Sequence, residues 1–217
     1  MHDDDFFNVT PEDEPPREVG LTLSTGQEVD LTALDPTLAE VMIGAGWDLR
    51  PFDAQPLDVD ISCFLLDAHG QTKANADFIF YNNMEGPAAA VIHNGDSRTG
   101  AGEGDDETIS IDLRGLSLEV ARVVFTLTIH DGAEREQSLA GIRGGFLRVT
   151  DRSNGHEIAR YVLDEALEGR AETGMLVAEL ERLGPNWVFR ALGEPVEGGL
   201  AAIATRYGVV VAEEGRG

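Results

Sequence analysis

The chain has 217 residues, 42% of them hydrophobic, which is enough apolar material for one globular core or at most two small ones. Its 40 acidic and 16 basic side chains leave a formal charge of −24, which argues against direct docking on a nucleic-acid backbone or an anionic membrane unless a divalent cation mediates it. The single cysteine, Cys63, excludes an internal disulfide framework, and no apolar run approaches membrane-spanning length.

Met1-His2-Asp3-Asp4-Asp5 is acidic where a secretory signal is basic, so a soluble cytoplasmic protein is expected. Residues 1–18 carry seven acidic side chains, the pair Pro15-Pro16 and one basic residue, Arg17. Such a stretch buries too little surface to offset its ordering entropy, and it reads as a disordered acidic arm. The folded domain is expected over 19–213, with a short tail at 214–217.

From Val19 the pattern alternates: Leu21 and Leu23, then Val29 and Leu31, flank the turn Ser24-Thr25-Gly26, which predicts a hairpin. Val41, Ile43 and Trp47 begin another extended segment, and Pro51 and Pro56 mark a loop. In Leu57–Leu66 a period of two puts Asp58, Asp60 and Ser62 on one face and Val59, Ile61 and Cys63 on the other. The Asp58-x-Asp60 pair fits a metal site, the wet face of an antiparallel strand, or the metal motif of a glycosyltransferase. The last of these wants an α/β nucleotide domain that this chain does not offer. Asp77–Asn83 is the next strand, with the amides Asn82 and Asn83 at its end as oxygen donors or as turn residues.

Ala88–Ile92 then leads into His93–Glu107, where glycines alternate with acidic residues before three consecutive carboxylates, Asp105, Asp106 and Glu107. Arg98 is the only basic side chain there. Two charges about 4 Å apart interact by about 4 kcal/mol at an effective dielectric near 20, so such crowding calls for a counter-charge. Calcium accepts about six to eight oxygen ligands in flexible geometry, so the stretch reads as a hard-cation loop, against the plainer reading of a solvated acidic turn. It is not an EF-hand, because Arg98 and Gly100 stand where that loop needs oxygen side chains. A calcium-binding β-helix needs tandem repeats, and a phosphate-cradling loop needs a lysine; neither is present here.

Thr108–Leu113 leaves the loop in alternation, Leu116–Arg122 reads as a short helical turn, and Val123–Ile129 is strongly strand-like. His130-Asp131 reads as a structural hydrogen bond at a strand end, since no nucleophile or oxyanion site accompanies it. His69, His93 and His156 lack zinc-ligand spacing. Gly144–Thr150 and Glu157–Leu163 predict a hairpin through Asn154-Gly155. Glu172–Leu183 carries Met175, Leu176, Leu180 and Leu183 at helical spacing and is expected to be an amphipathic helix stopped at Gly184-Pro185. Trp187–Leu192 is expected as a strand, Gly198–Tyr207 as a helix, and Val209–Val211 as a last strand. About ten strands and two late helices predict a mainly β protein, a β-sandwich of two antiparallel-rich sheets.

Several blocks together resemble a known family: Gly44-x-Gly46-Trp47-Asp48, Asp58-x-Asp60-x-Ser62-x-Phe64-Leu65-Leu66, Asp77–Asn83, Gly95-Asp96-x-x-Thr99-Gly100-x-Gly102-x-Gly104-Asp105-Asp106-Glu107, Thr128-Ile129-His130-Asp131 and Ala159-Arg160-Tyr161. Their order from Val19 to Gly208 is similar to that of the TerD family of bacterial tellurium-resistance and stress-response proteins. The resemblance implies a cytoplasmic calcium-binding β-sandwich without established catalysis, working with other stress-response and tellurium-resistance proteins. Carried over, the candidate metal ligands are Asp58, Asp60, Asn82, Asn83, Asp96, the Gly104 carbonyl, Asp105, Asp106 and Glu107. These exceed what one calcium uses, which implies two ions. Ser97 and Ala101 depart from the residues common at those positions, which bears on affinity.

Three functions follow as alternatives: a calcium-dependent scaffold or sensor, a metal-dependent hydrolase or transferase using the clustered carboxylates, and calcium-bridged docking on anionic lipid. Direct handling of tellurite by Cys63 is disfavoured, because a lone thiol on an apolar strand face is ordinarily inert.

Overall fold

The computed structural model describes residues 20–48, 56–96 and 104–209. The expected acidic arm at 1–18 and the tail at 214–217 lie outside these residues, as do most of the expected last strand and the centre of the acidic loop. The strands in chain order are β1 (Leu21–Leu23), β2 (Glu28–Asp30), β3 (Glu40–Gly46), β4 (Val59–Leu66), β5 (Phe78–Ile79), β6 (Val91–Asp96), β7 (Glu107–Asp112), β8 (Arg122–Ile129), β9 (Phe146–Asp151), β10 (Glu157–Val162), β11 (Gly174–Leu183) and β12 (Asn186–Val196). Three short helices join them: α1 (Leu31–Leu34), α2 (Asp164–Leu167) and α3 (Gly199–Arg206).

The strands form two six-stranded sheets, one ordered β1-β10-β9-β3-β7-β6 and the other β2-β12-β11-β8-β4-β5. Every pairing is antiparallel except β1 with β10. This is the predicted sandwich. Its core is made by the inner faces: Val41, Ile43, Ile109, Ile111, Leu147 and Val149 of the first sheet lie in one buried cluster with Ile61, Cys63, Leu65, Val123, Phe125 and Leu127 of the second. Among the described residues no helix is long and apolar enough to cross a membrane.

Four local expectations are corrected. The turn at Ser24–Gln27 forms, with Gln27 N–H donating to the Ser24 carbonyl at 3.0 Å, yet β1 and β2 do not pair with each other. They enter different sheets, and the turn is tied to both: Gly26 N–H donates to the Ala191 carbonyl at 2.8 Å, and the Thr25 hydroxyl meets the Tyr161 hydroxyl at 2.7 Å. Glu172–Leu183 is not a helix but the long strand β11, pairing on both sides with β12 and β8. Its register shifts between Leu176 and Ala178, so Val177 and Ala178 both join the core while Leu176 packs under α3. A bulge of this kind breaks the period of two and imitates helical spacing.

The Leu116–Arg122 segment holds turns rather than a helix, closed by Val120 N–H on the Ser117 carbonyl. The outer face of β4 is wet only at its start. Ser62 is 2% exposed and its hydroxyl bonds to that of Thr126 at 2.6 Å, while Phe64 and Leu66 on the same face are covered by Ile203 and Ala204 of α3 and by Tyr207, which caps it.

Candidate functional site

The candidate ligands are brought to one end of the sandwich. β3 and β6 finish there and β7 begins, since Glu107 lies opposite both Ala45 and Asp96. β4 begins there and β8 ends, since Val59 lies opposite Ile129. β5 runs out at the same end into Tyr81, Asn82 and Asn83, which make a tight turn closed by the Phe80–Asn83 bridge.

Within that end the residues have different fates. Asp58 is exposed and Asp60 half-buried at the head of β4. Asn82 is exposed, and Asn83 uses its side-chain N–H to donate to the Phe78 carbonyl at 2.6 Å, which leaves its amide oxygen aside from that bond. Asp96 closes β6, and the segment 97–103 beyond it lies outside the described residues. The Gly104 carbonyl faces Gly46 of β3, 3.0 Å from where a Cβ would stand.

Asp105 is turned onto the outer face of the first sheet. Its two carboxylate oxygens accept from Arg148 Nε at 2.7 Å and from the same guanidinium's Nη2 at 3.0 Å. The carboxylate lies over Gly44, where any Cβ would overlap it. Arg148 also donates to Glu157 at 3.0 Å, and Glu157 accepts twice from Arg160 at 2.8 and 2.7 Å. Burial alone would raise the Glu157 pKa, but Arg160 and Arg148 together hold its carboxyl below the usual range.

Asp106 sits at the rim, half-buried, with Oδ2 accepting from Trp47 N–H at 2.7 Å. Burial, with Asp105 and Asp48 nearby, raises its carboxyl above the usual range against the opposing Trp47 bond. Glu107 points the other way, into the core, and is 4% exposed. There it bridges the two sheets: Oε2 accepts from Ile61 N–H of β4 at 2.7 Å. β5 pairs with β4 only at Cys63 and Phe64, so the backbone at Ile61, two residues back, faces an edge without a strand. Glu107 satisfies its N–H, and His93 Nε2 lies 3.1 Å from its carbonyl.

Sequence reasoning passed over His93 as a ligand and missed this role. Gly95 N–H donates to Nδ1 at 3.0 Å, which puts the proton of the neutral ring on Nε2, facing the Ile61 carbonyl and, at 3.6 Å, Glu107. Burial disfavours the imidazolium, but Glu107, the Ile61 carbonyl and Asp60 outweigh it and raise the His93 pKa. Burial, which a lone sequence does not display, separates this histidine from the half-buried His130. His130 and Asp131 form a surface pair at 3.5 Å.

The remaining donors are oxygens, which suits a hard cation, and the one thiol is elsewhere: Cys63 is fully buried and burial pushes its pKa up. Among the described residues, no three acidic, histidine or cysteine side chains stand close enough together to hold an ion. The donor types are those a hard cation takes, but in this arrangement Asp105 and Glu107 already have protein partners, Arg148 and Ile61.

Residues 19–207 match the profile of the TerD domain. The chain belongs to the TerD family. It is 42% identical over 191 residues to tellurium resistance protein TerD of Serratia marcescens, covering 88% of this chain and 98% of that one. It is 41% identical over 192 residues to general stress protein 16U of Bacillus subtilis strain 168, with the same coverage. The crystal structure of a homologue of telluride resistance protein (TerD) from Streptomyces coelicolor A3(2) shares the fold, with a TM-score of 0.61 at 23% identity over 77% of this chain and 95% of that one.

Proposed function

We propose that this TerD-family protein serves in tellurium resistance and general stress response as a non-catalytic, calcium-binding scaffold in the cytoplasm, acting with other proteins of that response. The names of its relatives, resistance and stress proteins, support the role. The calcium reading rests chiefly on one observation: the head of β4, the turn after β5, the end of β6 and the start of β7, the segments that carry the candidate oxygen donors, all lie at the same end of the sandwich. Asp106 adds to it: burial first, and then the neighbouring Asp105 and Asp48, raise its carboxyl above the usual range, and a cation would offset that cost of the charged form.

Asp58, Asp60, Asn82, Asn83, Asp96, Asp106 and the Gly104 carbonyl would hold the ion or ions, and Asp105 and Glu107 would join only by leaving their partners. Calcium bound there would supply charge neutralisation for these carboxylates. Calorimetric titration of chelator-stripped protein with calcium tests the reading. It expects saturable binding and a higher melting temperature, about 2.7 kcal/mol of stabilisation at a hundredfold excess over Kd. No binding heat and no thermal shift at millimolar calcium would overturn it.

A further inference from the structure

We propose that Arg148 is a built-in counter-cation that competes with calcium for Asp105 and so sets the affinity of the site. The inference rests on the calcium reading above and adds a residue to it. Asp105 is held at both oxygens by one guanidinium, a geometry that matches a planar fork to a carboxylate and is stronger than a single charged bond. The pair is sheltered, with 7% of the Asp105 and 20% of the Arg148 side chain exposed, so solvent screens it little.

The seat is shaped for this state. Gly44 lies beneath the Asp105 carboxylate, and any larger residue there would displace it. Arg148 stands in register opposite Gly44, on the outer face of β9. It is anchored from its other side by Glu157, itself held by Arg160. Arg148 therefore keeps a carboxylate partner when Asp105 leaves, which limits the cost of the exchange.

The test is calorimetric calcium titration of stripped wild type, Arg148→Met, Gly44→Ala and the pair Asp105→Asn and Asp105→Asn/Arg148→Met. Arg148→Met is expected to bind calcium about tenfold more tightly than wild type, a coupling of ordinary size between two partners of one group. Gly44→Ala, which removes the seat and leaves the charge, is expected to tighten binding as well, and it serves alone if Arg148→Met does not fold. In the Asp105→Asn background Arg148→Met is expected to change little. In wild type, the Arg148 side-chain Nε–Hε resonance should shift on calcium addition.

If wild type binds calcium while neither variant binds more tightly and the resonance stays fixed, the competition is refuted and the calcium reading stands. Equal tightening with and without Asp105 also refutes it, since that is a general charge effect. If neither wild type nor any variant binds, both proposals fall.

Discussion

Removing the Glu107 carboxylate separates a strut from a ligand. In Glu107→Ala the buried Ile61 N–H loses its acceptor, a cost of about 1–3 kcal/mol for an unsatisfied donor. The one buried methylene lost, Cγ, adds roughly 0.8 kcal/mol. A loss near 3 kcal/mol corresponds to a fall in Tm of about 6 to 12 °C for a domain of this size. Glu107→Gln keeps the volume and one oxygen acceptor for Ile61, and it loses only the attraction to His93 at 3.6 Å, so we expect a loss of about 1 kcal/mol. The assay is thermal and urea unfolding of both variants against wild type in excess chelator, where no ion contributes. Variants as stable as wild type under those conditions, yet weakened in calcium, would refute the bridging role and return Glu107 to the ligand set.

Two further outcomes follow from the charges at this end. The Asp106 pKa is raised in the folded state, so ionising it weighs against folding as pH rises through that value; Asp106→Asn should therefore raise the Tm of the calcium-free protein at pH 7 and weaken calcium binding, read by calorimetry on the same samples. Glu157 is shifted the other way, so its contribution is present above the unfolded pKa and lost as pH falls through the lower folded value. Glu157→Gln should be less stable than wild type at pH 7, with the difference shrinking below about pH 4.5 in urea titrations, the unfolded glutamate range.

The sandwich was legible because β-branched runs such as Val123–Ile129 and the alternation in Val41–Ile43 and Val59–Cys63 carry the sheet period themselves. The Asn154-Gly155 hairpin was legible for the same local reason, with Gly155 at φ 74°. β11 was not, because its bulge shifts the inward set to Met175, Val177, Ala178 and Leu180, and only the partner strands reveal that the backbone is extended. The β1–β2 turn was legible and its pairing was not, because which sheet each strand joins is decided by Ala159 and Phe189, far away in sequence.

The same limit governs the site. Asp105, Asp106 and Glu107 are one acidic block in sequence and three environments in the fold: an ion pair on the outer face, a rim position against Trp47, and a core bridge to Ile61. Neighbouring residues in extended chain point to opposite faces, so a run of carboxylates at a strand start cannot converge on one ion by virtue of being consecutive. What brings the segments that carry the candidate donors to one end is the sheet order, which sets β4 and β5 of one sheet across from β7 and β6 of the other. The number of acidic residues in the loop therefore measures the field at that end, while a bound cation would gain Asp105 or Glu107 only if Arg148 and Ile61 released the carboxylates they already hold.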